Sequence, residues 1–387
     1  MGVTRVPVSP EMLRWACERA GFDVAHLAKR LPQFPAWVRR ERQPTLKQLE
    51  KLAKLTHTPF GYLFLPEPPD ERLPVPDYRT VAGTTTGGTP SPDLLDTLYA
   101  MQRRQEWLRE ALAENDVAPL TFVASARLAD EPEVVGREMR RTLGLDEGWA
   151  VSVATWQVAV GELRRAIEQL GVMVLINGVV GNNTSRRLSV EEFRGFALTD
   201  SHAPLIFVNG ADAKSAQMFT LAHELAHIWL GSEGVSGFDN LLPRGTEVED
   251  WCNRAAAEFL APAQEVRARW AQVRRQRRPF EALARAFKVS PVVAARRALD
   301  LQLVERNTFF DFYERYVNRE RKESGAEPGG GGDFYNNQNT RIGELFATQV
   351  LRAAMEGRIG FKEAYDLTGL RGGTFQKYAR RLGVNLP

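Results

Sequence analysis

The chain of 387 residues carries 51 Lys and Arg against 48 Asp and Glu, a formal net charge of +3, so any nucleic-acid surface must be local and not a property of the whole chain. Its length allows two or three domains with cores of their own. The two cysteines, Cys17 and Cys252, stand far apart and offer no disulfide framework, and no run approaches the ~18 apolar residues of a membrane helix.

Residues 1–66 read as a small all-α unit. SPEMLRWACERAG has a cap and apolar spacing, and DVAHLAKRL begins with Asp23 as N-cap and repeats Val24, Leu27, Ala28 and Leu31. A third helix is expected from about residue 35 to 42, because Pro35 suits a first helical position. TLKQLEKLAKLTHT is capped by Thr45 and lines up Leu46, Leu49, Leu52, Ala53 and Leu55. Short helices at this spacing resemble a helix-turn-helix domain of the phage-repressor (XRE-like) type, with PAWVRRER as the recognition helix. These residues hold eleven Lys or Arg against five Asp or Glu, which suits phosphate contact through Lys29, Arg39, Arg40 and Arg42. The sequence departs from the repressor pattern at Phe34 and Trp37, where base-reading domains place polar side chains. Those two rings look like core or interface residues, so protein contact stands beside DNA as the expected role.

Residues 67–93 are rich in Pro, Gly and Thr and read as an extended linker, within which VPDYRT could pack on a neighbour through Tyr78. Connecting helices are expected at 94–115 and 131–143, within a segment spanning 94–151. From residue 152 the pattern changes. WQVAVGELRRAIEQLG reads as a helix ending at Gly171, and VMVLING, FRGFALTD and APLIFVNG read as strands.

The stretch 216–231, AQMFTLAHELAHIWLG, then holds His223, Glu224 and His227 as H-E-x-x-H in a run free of Gly and Pro until Gly231. On a helix the two histidines fall at i and i+4, one turn apart on one face, so both imidazoles can reach one metal ion. Glu224 lies beside that face, placed to take a proton from water, and an unpaired carboxylate in an apolar helix has no structural use. Zinc suits the arrangement best. A catalytic zinc takes three protein ligands and one open position. Glu247, Glu249, Asp250 and Glu258 are the nearby carboxylates. On one helix Glu258 falls about 180° from Glu249, whereas Glu249, Asn253, Ala256 and Leu260 share a face, so Glu249 is preferred and the other carboxylates read as solvated helix ends. Asn253 could orient a ligand histidine from outside the ligand shell. His202, in a loop, reads as exposed and not as a ligand, and His26 and His57 read as structural.

FTLAHELAHIWLG followed by E-x-x-C-N-R-A-A-A-E-F-L-A-P resembles the ImmA/IrrE family of zinc metallopeptidases over about residues 155–262. Cys252 stands where the family often has Ala. The resemblance implies an α+β zincin-like (gluzincin-like) core at 152–262, with Zn2+ held by His223, His227 and Glu249, and Glu224 as general base. It implies a narrow protein substrate range, cleavage of a partner repressor in stress response or mobile-element control. An edge strand that docks the peptide by backbone pairing is expected at Gly195, Phe196, Ala197 and Leu198. The alternative is a DNA-binding transcription regulator or antitoxin-like protein whose zinc site is structural or inactive.

After the core, residues 263–322 hold a basic stretch (Arg267, Arg269, Arg274, Arg275, Arg277 and Arg278), read as a solvated helix face. FEALARAFKVSPVVAARRALDLQLV follows with a helix-turn-helix pattern. Residues 323–333 contain four glycines at 329–332 and read as a flexible joint, and 334–387 read as a helical module that buries Tyr365, Leu367, Leu370, Phe375 and Tyr378. The expected whole is a multidomain protein with α-helical ends around an α+β core. Its expected location is a bacterial-type cytoplasm, with no membrane partner, since no apolar signal segment is seen.

Overall fold

Capping residues start the first helices where the sequence places them. In the computed structural model, which describes residues 4–78, 89–236, 246–323 and 334–384, Ser9, Asp23 and Thr45 each accept a backbone N–H at the start of α1 (Pro10–Arg19), α2 (Val24–Arg30) and α4 (Leu46–Thr56), with a full Thr45–Gln48 capping box at α4. Between them α3 covers only Phe34–Val38, shorter than the helix expected to residue 42. Arg40 takes a left-handed backbone at φ 63°, which ends the helix early. A 3-10 turn at Phe60–Phe64 closes this unit. Its core gathers Met12, Leu13, Ala16, Leu27, Phe34, Trp37, Leu49 and Leu52, so Phe34 and Trp37 are core residues. Arg19 makes a paired contact with Glu71 within the same unit.

The chain divides into two compact units, Met1–Pro74 with Gly87–Leu98, and Val75–Thr86 with Tyr99–Pro387. The second opens with β1 (Asp77–Tyr78), inside the stretch read as linker, and takes in most of α5 (Pro92–Ala113). There follow α6 (Pro132–Thr142), the single turn α7 (Trp149–Ser152), α8 (Trp156–Gln169), β2 (Met173–Asn177), β3 (Val179–Val180), β4 (Asn183–Arg187), β5 (Gly195–Leu198), β6 (Leu205–Asn209), α9 (Lys214–Leu230), β7 (Gly234–Ser236) and α10 (Glu247–Leu260). The main sheet is mixed, in the order β1-β7-β5-β6-β2. β2 runs parallel to β6 and β1 parallel to β7, while β5 is antiparallel to both its neighbours. β3 and β4 form a separate antiparallel pair that the sequence reading did not separate out.

This strand order corrects one expectation. Gly195–Leu198 is not an edge strand: β6 pairs along one side of it and β7 along the other, and all four residues are buried. A peptide cannot add to a strand whose backbone groups are already paired. Among the described residues the outer strand on that side is β1.

The helix α9 packs on β5 and β6 and against α8 and α10, and residues 217–229 are buried without a break. A helix apolar all round must be surrounded, and this one joins Ala197, Ile206 and Val208 of the sheet to Trp251, Ala255 and Phe259 of α10 in one core. It ends at Gly231, whose φ of 71° suits glycine and whose missing side chain leaves room for the Ala124 methyl. Beyond α10 come α11 (Ala263–Val273), α12 (Pro279–Phe287), α13 (Pro291–Asp300) and α14 (Arg306–Glu323). The six arginines from Arg267 to Arg278 are all exposed. The joint read at 323–333 lies outside the described residues apart from position 323. The tail forms α15 (Phe334–Ile342), α16 (Glu344–Met355), α17 (Phe361–Thr368) and α18 (Gly372–Arg381), burying Leu370, Phe375 and Tyr378 and half-burying Tyr365 and Leu367. The first of these helices lies against β2, and the Glu168 carboxylate accepts the Glu344 N–H at 2.9 Å. No helix among the described residues is long and apolar enough to cross a membrane.

Candidate metal centre

Two helices supply the chemistry. On α9, His223 and His227 project one turn apart, and their Nε2 atoms stand 3.1 Å from each other. Thr246 caps α10 by accepting the Glu249 N–H, which fixes the first turn from which Glu249 reaches across. One Glu249 oxygen lies 3.1 Å from His227 Nε2 and the other 3.4 Å from His223 Nε2. All three residues are buried, and their ligand-type atoms lie within 4.8 Å of one another.

Two imidazole nitrogens that face each other at this distance cannot both carry a proton. The charges arrange accordingly. Burial would lower His223, but Glu249, and Glu224 beyond it, outweigh burial and raise it above the usual imidazole range. Burial, helped by the charge on His223, lowers His227 against the pull of its Glu249 contact. Glu249 would be raised by burial, yet the two imidazoles hold it well below the usual carboxylate range. A divalent cation in the centre would replace the single shared proton and give every facing atom a partner. The donor set fits zinc in number and kind, and two nitrogens at ~2.0–2.1 Å from a tetrahedral zinc would stand about 3.3 Å apart, close to the separation found here.

Glu224 stands outside that trio and is fully buried. Burial raises its carboxyl to about 8, opposed first by the charge on His223, with Glu249 adding to the rise and the nearby Ser236 hydroxyl opposing it. Its other wall is Gly195 of β5. A Cβ at that position would stand 2.9 Å from the Glu224 Oε1 and 2.6 Å from the Thr220 methyl, so the absent side chain is what lets the carboxylate lie against the strand. The strand expected to dock substrate thus has a different place, as the floor under Glu224.

The other expected site residues fall as follows. Asn253 is half-buried beside His223 and favours its protonated form. Glu258 is buried on the opposite face of α10, held by Arg297 and by Arg137 at 3.3 Å. Glu247 and Asp250 do not join the trio. His202 is half-buried and bonded to Ser201 Oγ at 3.0 Å, where the sequence suggested exposure. Lys29, Arg39, Arg40 and Arg42 are exposed in the other unit, with Arg39 engaged by Glu41 at 2.5 Å. Ser236 and Ser232, which border the histidines and Glu224, escaped the sequence reading because a single serine in a short strand or turn carries no distinguishing pattern.

Residues 167–299 match the model of a family described as the IrrE N-terminal-like domain (Peptidase_M78), a family of zinc metallopeptidase type. The matched span contains α9, α10 and all three clustered residues. Residues 342–381, in the helical tail, match a domain of unknown function, DUF8813. No curated protein matches the chain.

Proposed function

We propose that this protein is a zinc-dependent, site-specific endopeptidase, and that its substrate is a partner repressor or other regulatory protein in stress response or mobile-element control. The observation that carries the reading is the convergence of His223, His227 and Glu249 from two helices onto one buried point, with the Glu224 carboxylate beside it and outside the cluster. A purely structural zinc site closes its fourth position with a protein ligand and has no use for a buried acid alongside.

When bound, the cation supplies Lewis acidity, polarising the scissile carbonyl and making a water easier to deprotonate. The rest is done by the chain. His223 and His227 present Nε2, and Glu249 presents a carboxylate held in its charged form. Glu224 takes the proton from the attacking water and delivers it to the leaving amine, a role for which its place beside the cluster but outside the ligand set fits it. Gly195, by lacking a side chain, leaves the room which that carboxylate occupies.

The test compares new protein N-termini in cells expressing the wild type with those in cells expressing Glu224→Gln, before and after DNA damage. A discrete cleavage confined to the wild type is expected and would name the substrate. Equal patterns under both conditions would favour a second reading, a DNA-binding regulator or antitoxin-like protein with an inactive metal site. The exposure of Lys29, Arg40 and Arg42 on the helical first unit supports a phosphate contact in that reading.

A further inference from the structure

The His227 imidazole is enclosed on its far side by residues that lie well outside the span matched to the peptidase family. Asp77 and Tyr78 pair in parallel with Val235 and Ser236 of β7, and the Val235 N–H bonds the Pro76 carbonyl at 3.0 Å. This register delivers the Tyr78 ring onto the His227 ring, nearly parallel at 19° with centroids 5.7 Å apart. The Tyr78 hydroxyl reaches Ser232 Oγ at 3.2 Å, and the Ser232 N–H bonds the His227 carbonyl at 3.0 Å. Ring, hydroxyl and backbone thus form a closed circuit around one histidine: Tyr78 to His227 ring, His227 carbonyl to Ser232, and Ser232 back to Tyr78.

Gly234 makes room for the arrangement. A Cβ there would stand 2.2 and 2.3 Å from two carbons of the Tyr78 ring, so any larger residue must drive the ring off its seat. A loosely associated strap would not need a position emptied of its side chain.

We propose that Tyr78 is a positioning residue of the metal centre, which holds the His227 imidazole in the orientation that points Nε2 at the shared point, and that the 76–78 segment is therefore an integral part of the site. This rests on the reading that His223, His227 and Glu249 hold zinc. An imidazole whose ring torsion is fixed beforehand loses less freedom on binding the cation, which tightens binding and sharpens the geometry of the site.

The experiment uses the full-length chain and three variants, Tyr78→Ala, Tyr78→Phe and Gly234→Ala, and measures zinc affinity by chelator competition and the visible absorption of the cobalt(II)-substituted protein. Tyr78→Ala should bind zinc roughly 10–100-fold more weakly, the range for residues that orient a ligand from outside, with an altered cobalt spectrum. Gly234→Ala should reproduce that loss with Tyr78 intact. Tyr78→Phe keeps the stacked ring and should recover most of the affinity, a rescue that a general loss of folding would not allow. Wild-type affinity and an unchanged cobalt spectrum in both Tyr78→Ala and Gly234→Ala would overturn the proposal. So would faster cleavage by Tyr78→Ala at unchanged affinity, since the segment would then be a cover over the site. If the wild type takes up neither zinc nor cobalt, the metallopeptidase reading falls and takes this one with it; failure of the variants alone leaves that reading standing.

Discussion

The helix α10 buries two carboxylates nine residues apart and on opposite faces, and the two are served by different partners. Glu258 has Arg297 and Arg137 on it, and its second oxygen also accepts the Ala263 N–H at 3.2 Å, while Arg297 donates to the Ala261 carbonyl at 3.0 Å. Charge and hydrogen-bonding capacity are matched, and guanidinium groups hold their charge at any ordinary pH. Glu249 faces two histidines whose nitrogens already crowd each other at 3.1 Å. That region is balanced only if a proton is shared or a cation enters. A buried acid with permanently charged partners is a structural tie; one whose partners are imidazoles at ligand spacing is a candidate metal ligand.

The comparison breaks most visibly if the two are exchanged in effect. Arg297→Ala leaves the Glu258 carboxylate with a single half-exposed arginine and should cost about 3–5 kcal/mol in urea unfolding, the usual penalty for stranding one member of a buried pair. The folded fraction should still take up zinc at one equivalent. Glu224→Gln should act in the opposite sense, leaving stability and zinc uptake near wild type while cleavage falls by about 10³-fold, within the range of a lost general base. Glu249→Gln should weaken zinc by more than ~100-fold, beyond the effect of removing an outer partner. Its thermal midpoint should no longer rise on zinc addition, whereas the wild type's should rise with ligand concentration. A wild type whose midpoint ignores both zinc and chelator would place Glu249 with Glu258 as a structural tie. Gly195→Ala sharpens the picture at lower cost. The added methyl meets Glu224 Oε1, Thr220 and the Phe207 carbonyl, so overpacking of about 1–3 kcal/mol is expected together with a drop in turnover that zinc affinity does not share.

What was legible in the sequence follows the distance over which each feature is decided. His223, Glu224 and His227 lie within five residues on one helix, so helical spacing alone aligns them. Glu249 could be preferred because a second helix has a phase, and that phase puts Glu258 on the other side. The role of Gly195 and the contact of Tyr78 are settled by strand order, which no local pattern encodes. The buried run of Phe196, Ala197 and Leu198 says that both faces of the strand are covered, but it is silent on whether its edges are paired. The strand that does pair there, β7, is Gly-Val-Ser, three residues with no strand signal. Tyr78 lies in a Pro-rich stretch that reads as linker, and its partners His227 and Ser232 are about 150 residues away in sequence. The short α3 escaped for the opposite reason: the pattern there favoured a longer helix, and one left-handed residue, Arg40, ended it.

The smallest effect belongs to a third carboxylate contact on the same helix, and it tests whether partner type or helix position makes the difference. Arg254 projects from α10 between the two buried acids and pairs in a two-pronged contact with Glu133 of α6, at 3.1 and 3.0 Å, with the arginine side chain 58% exposed. Solvent screens such a pair, and holding two long side chains together offsets much of its attraction. Arg254→Ala should therefore change unfolding free energy by no more than about 0.5–1 kcal/mol. Zinc affinity and cleavage should stay at wild-type values, because Arg254 lies five residues on from Glu249, about 140° round the helix, and pairs with α6 instead. A larger destabilisation would mean that α10 is sensitive at every polar position, and the contrast between Glu249 and Glu258 would then reflect the helix and not their partners. A loss of zinc affinity would show that the α6–α10 contact sets the reach of Glu249, tying the structural side of the helix to the metal side.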